Sequence, residues 1–260
     1  MTENRALIER ALDRDRLIVL TGLGAAIILA WIWIVPMSFD MYGPMSGSSA
    51  WMMTPAWDGK YFRLLFAMWA VMMTGMMLPS AAPMILLFAS IVRQSDLPRP
   101  AVRAYVFAAG YLVVWSLFAA AAVVVQRVLT SALALTPMMT LSSNRAASVV
   151  LALAGVYQLT PFKRMCLSLC QSPVTFIARH WRDGFAGAFQ MGVTHGMFCI
   201  GCCWALMLLL FAGGVMHLTT IGLLTMFVLV EKVLTHGPWV QWFSWATGSL
   251  LLLLAVWMLL

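Results

Sequence analysis

The stretch 191-MGVTHGMFCIGCCW-204 sets a thioether, an imidazole and three thiols in an otherwise apolar run. Wound as a helix at about 100° per residue with His195 at the origin, Met191 falls near roughly −40°, Cys202 near −20°, Cys199 near +40° and Cys203 near +80°. Four donors share one stripe and Cys203 borders it. Free cysteine is among the most buried residue types, so one such residue reads as packing. Three cysteines, a histidine and a methionine on one face read as a site. Soft sulfur donors hold Cu(I), and thiolate with imidazole also holds zinc. Magnesium and calcium want oxygen ligands, which this face barely offers. His195 lies roughly ten residues into its apolar run, near the depth where an ionisable side chain is costly and marks function.

Two other segments carry similar donors. In 68-MWAVMMTGMMLPSAAPM-84, Met72 and Met76 stand at i and i+4, and Met73 and Met77 form a parallel pair. Pro79 and Pro83 must interrupt or kink that helix. Such a ladder offers weak thioether sites, or simply a Met-filled core. In 163-KRMCLSLCQSP-173, Cys166 and Cys170 share a helical face and suit two-coordinate thiolate binding of Cu(I). Lys163 and Arg164 would favour the thiolates. Gly192 and Gly196 form G-x-x-x-G, a helix-contact signal. Glu231 beside Lys232 reads as an interfacial ion pair, and His180, His217 and His236 as wet residues near run ends.

The elements that must position these donors are apolar runs at 17–35, 62–92, 104–126, 146–162, 186–214, 217–235 and 239–260. The chain has 260 residues, 63% of them hydrophobic and 10% charged, and a mean hydropathy of +0.91. Soluble domains carry roughly 45–50% apolar residues. The expected fold class is all-α, a polytopic transmembrane helix bundle of about seven spans, six being the alternative. The formal charge of +7 sits in short basic clusters between the runs. That is a topology signal and does not indicate nucleic acid. Arg5, Arg10, Arg14 and Arg16, then Arg93, Arg99 and Arg103, then Lys163, Arg164, Arg179 and Arg182 fall on one side if the N-terminus is cytoplasmic. With seven spans the C-terminus is outside. Residues 1–16 form a charged cytoplasmic segment with no cleavage signal, so the first run stays as an anchor. The segment 36–61, with Met37, Met41, Met45, Met52 and Met53, reads as an irregular Met-rich outer loop. Five clustered cysteines, an odd number, do not form a secreted disulfide framework.

Four blocks together resemble a known family: M-M-x-x-M-M-L-P-S-x-x-P-M, K-R-x-C-L-x-x-C-x-S-P, G-x-x-H-G-x-x-C-x-G-C-C-W-x-L-M and a following E-K. It is the predicted metal-binding integral membrane proteins of bacteria, which include a membrane copper chaperone associated with a polyphenol oxidase. The resemblance covers about 62–237, the expected metal-binding core of a single integral membrane domain. It implies a bacterial inner-membrane protein that handles copper for a cuproenzyme. The matching positions are Met72, Met73, Met76, Met77, Cys166, Cys170, His195, Cys199, Cys202 and Cys203. The expected partners are a metal ion, membrane lipid, and a periplasmic cuproenzyme or copper carrier. Copper(I) is the expected metal, with zinc the alternative. No nucleotide-binding loop is present, and the expectation is a non-enzyme. Two other classes remain open at this point: a membrane thiol-disulfide oxidoreductase, and a non-catalytic subunit or assembly scaffold.

Overall fold

The computed structural model describes residues 2–43, 57–95, 97–132, 134–136, 139–234 and 238–260, with side chains except those of 2–15, 234 and 238. Among these the chain is helical. In order come α1 (Thr2–Met41), α2 (Gly59–Gln94), α3 (Pro100–Ser131), α4 (Asn144–Leu159), α5 (Pro161–Gln171), α6 (Pro173–His180), α7 (Gly184–Met207), α8 (Leu209–Gly213) and α9 (Leu218–Leu229). A π-helical turn, Val230–Leu234, follows α9 and leads to α10 (Pro238–Trp257).

Five stretches are long and apolar enough to cross a membrane: Arg16–Met41, Gly59–Gln94, Pro100–Ser131, Gly184–Gly213 and Trp239–Trp257. The bent pair α4 and α5 makes a sixth if counted as one span. Five or six of the seven expected runs thus have the length and composition of a span, and 217–235 is the remaining one. It holds a helix of 12 residues and then the π turn, short of the roughly 20 residues of a regular span.

Prolines shape the interior. Pro161 has no N–H to give the Tyr157 carbonyl and ends α4 there. Thr160 takes the extended conformation, its hydroxyl donates to Tyr157 O at 2.7 Å, and the same oxygen caps α5 by accepting from Lys163 N at 3.3 Å. The chain leaves that joint bent by 66°. In α2, Pro79 leaves Gly75 O without its intrahelical donor. The Trp31 indole on α1 donates to it at 3.2 Å instead.

Helix occupies both ends of the segment 36–61 that was expected as a loop. Helix α1 runs through Pro36 to Met41, with Met37 and Met41 buried in the core. Asp58 caps α2 by accepting from Tyr61 N at 2.7 Å, so helix resumes at Gly59. Met45, Met52 and Met53 lie outside the described residues.

The most extensive helix contact is α3 against α7. A Cβ at Gly192 would strike Phe107 O, one at Gly110 would strike Phe189 O, and one at Gly196 would lie 2.9 Å from Val114 Cβ. Small residues thus let two backbones touch, and the glycine motif of α7 is used as expected. The donors lie beside this seam, where Tyr111 of α3 reaches His195 and Cys199.

Candidate metal centre

Helical phase is realised on α7: Met191, His195, Cys199, Cys202 and Cys203 are all buried. Within this helix the Cys202 and Cys203 thiols donate to the Cys199 carbonyl at 3.1 and 2.9 Å. The Cys199 thiol also meets those of Cys202 and Cys203.

The segment 163–173 was expected as a connection near the cytoplasmic surface. It is a helix, and the bend at Thr160–Pro161 lays it across α7. Cys170 is buried there, its thiol beside that of Cys202. Cys166 packs over Gly201, where an added Cβ would stand 2.8 Å from its sulfur. The Tyr157 hydroxyl donates to Gly201 O and ties α4 to the same turn. The two cysteine blocks therefore meet: Cys170, Cys199, Cys202 and Cys203 form one group and Cys166 borders it. All five cysteines are free.

His195 is 3% exposed. Its ring stacks on Tyr111 at 5.6 Å between centroids and meets Phe176 edge-on at 5.2 Å. Its Nδ1 is buried without a hydrogen-bond partner. Buried ring nitrogens are normally satisfied, so this atom is available to a ligand. Met72, Met73, Met76 and Met77 are fully buried in the core that includes Met191 and the cysteines. The direct link from that block runs through backbone. The Tyr111 hydroxyl donates to Met77 O at 3.1 Å and lies 3.1 Å from Cys199 Sγ.

Among the described residues no group of three or more His, Cys, Asp or Glu forms a ready metal cage. The geometry gives the reason. Cys202 and Cys203 turn to a carbonyl of their own helix, and Cys199 Sγ faces the Lys232 ammonium at 2.7 Å.

That lysine corrects a sequence expectation. Glu231 and Lys232 do not form an interfacial pair; both are buried and they reach different neighbours. Glu231 accepts from Lys163 in a buried ion pair and from Ser244 Oγ at 3.2 Å. Lys163 donates also to the Gln158 side chain. Lys232 donates to Cys199 Sγ and, at 3.3 Å, to Ser80 Oγ on α2. Consecutive helical residues point in different directions, so an adjacent Glu–Lys is a poor pair. Charge inside an apolar run was the available signal for Lys232. Nothing in the sequence singled out Tyr111. His180 Nδ1 lies 3.1 Å from Phe176 O, and His217 stands edge-on to Tyr42 at 5.2 Å. His236 lies outside the described residues.

Among the described residues the architecture is all-helical, with five or six stretches long and apolar enough to cross a membrane, and its interior gathers thiols, thioethers and the unpartnered Nδ1 of His195. Residues 66–258 match the PpoB2 copper chaperone family, and the chain belongs to that family. No curated protein and no solved structure matches it.

Proposed function

We propose that this protein binds Cu(I) inside the membrane and hands it to a copper enzyme. The observation that carries the reading is the meeting of Cys170 on α5 with Cys202 on α7, beside Cys199 and Cys203. Soft thiolates from two helices suit Cu(I), which accepts low coordination numbers and sulfur. His195 and Met191 extend the same face, and His195 Nδ1 offers a further donor. Loading turns Cys202 and Cys203 away from the Cys199 carbonyl; those hydrogen bonds are weak, because thiols are weak donors. Met72, Met73, Met76 and Met77 supply thioether sites that pass the ion on, and Cys166 admits it at the edge of the group. The basic residues near Arg16 and at Arg93–Arg103 support a cytoplasmic N-terminus, with the copper leaving toward the periplasmic side. The ion is cargo and no bond of a substrate is broken, so the role is delivery and not catalysis.

The test is metal content. The full chain is purified anaerobically in detergent, and copper and zinc per chain are measured in the parent and in Cys199→Ala, Cys202→Ala and His195→Ala. The expected result is about one copper in the parent and a marked loss in the variants. A parent that takes up no metal while its thiols cycle with a quinone overturns the reading in favour of thiol-disulfide exchange.

A further inference from the structure

We propose that Lys232 is the counter-charge that restricts this centre to a monovalent ion. The inference rests on the copper-binding reading and names the group that sets its metal selectivity.

Lys232 is 6% exposed, and its ammonium has two hydrogen-bond partners, Cys199 Sγ at 2.7 Å and Ser80 Oγ at 3.3 Å. Ser80 is neutral. The adjacent carboxylate, Glu231, lies against Lys163. A buried ammonium is costly unless an anion faces it. Here the group that faces it is the sulfur of a cysteine cluster. The positive charge is thus fixed at hydrogen-bonding distance from one of the proposed ligands, on a helix different from those that carry the thiols.

The consequence for selectivity is Coulombic. Two thiolates, one monovalent ion and Lys232 sum to zero charge. With a divalent ion the same set carries one uncompensated positive charge in the interior. The sign of Lys232's own contribution does not depend on the number of thiolates, because Lys232 repels a divalent ion about twice as strongly as a monovalent ion at the same distance. Softness alone leaves Cu(I) and zinc both acceptable to thiolates. The ammonium separates them.

The experiment compares the parent, Lys232→Met, Lys232→Arg and Ser80→Asp, purified as full chains in detergent under reducing, anaerobic conditions. Cu(I) affinity is read against bicinchoninate and Zn(II) affinity against pyridylazoresorcinol, and a thermal melt confirms that each variant is folded. K232M is expected to shift the Cu(I)-over-Zn(II) preference toward zinc by on the order of tenfold or more. K232R is expected to keep the parent ratio. S80D retains the lysine and neutralises it from α2, and is expected to shift the ratio in the same direction as K232M, which covers the case of a K232M chain that does not fold. A purely packing role for Lys232 would weaken both metals together. Cu(I) binding with an unchanged ratio in K232M, or in S80D where K232M does not fold, overturns this inference and leaves the copper reading standing. A parent that binds neither ion overturns both.

Discussion

The thiols of Cys170 and Cys202 face each other across the interface of α5 and α7. One cysteine follows the 66° bend and the other lies on an apolar helix. The contact makes two cysteine blocks into one group, and it sets unequal roles for the two cysteines of α5.

Cys170→Ser is therefore expected to weaken Cu(I) binding strongly, by about tenfold or more for the loss of a thiolate ligand. Cys166→Ser, at the edge of the group and against Gly201, is expected to change equilibrium affinity by less and to slow uptake. Chelator competition gives the first quantity and stopped-flow loading the second. Equal losses in affinity would show that the edge position of Cys166 has no functional meaning.

The seating of α7 on α3 is tested at a glycine. In Gly192→Ala the new methyl meets the Phe107 carbonyl, which is backbone and cannot move aside. A cost of about 1–3 kcal/mol is expected from overpacking, outweighing the roughly 0.5–1 kcal/mol that alanine adds to a helix. Gly222→Ala on α9 has nothing within 4 Å of its Cβ and is expected to be neutral or slightly stabilising. Thermal unfolding of both in one detergent separates these outcomes.

The face of α7 was readable from sequence because one helix fixes its own phase: residues three and four apart must lie together. The joint at Thr160–Pro161 was readable as a break, since a proline stops the ladder locally. Where α5 lands after the joint was not, because that depends on packing against α7. Glu231 and Lys232 were misread for a related reason. Their nearness in sequence suggested a pair, while their partners, Lys163 and Cys199, are far along the chain. Hydropathy marked 217–235 as a span because it weighs apolar content and does not register the change from α9 to a π turn.

The ion pair of Lys163 and Glu231 joins α5 to that π turn, with both side chains inside the protein. Removing one partner leaves the other charge buried and uncompensated, so Lys163→Met or Glu231→Leu alone is expected to cost about 3–5 kcal/mol. The double variant Lys163→Met with Glu231→Leu removes both charges and is expected to recover most of that loss. A double-mutant cycle read by unfolding in detergent gives the coupling. Additive losses would mean that the pair is not the link between the two elements.

Tyr111 tests the boundary between a residue that holds the centre and one that ligates. Its hydroxyl bridges Met77 O and Cys199 Sγ, each at 3.1 Å. In Tyr111→Phe the Met77 carbonyl keeps its bond from Ser80 Oγ at 2.9 Å, so no acceptor is orphaned. The stability loss should then stay near the value of one ordinary hydrogen bond, about 1 kcal/mol. The ring that stacks on His195 is retained. A phenol near a sulfur competes for its electron pairs, so its removal is expected to leave Cu(I) affinity unchanged or to raise it a few-fold. Cys199→Ala is expected to lower that affinity sharply in the same chelator competition. An affinity loss in Tyr111→Phe as large as that of Cys199→Ala would make the phenol oxygen part of the ligand set.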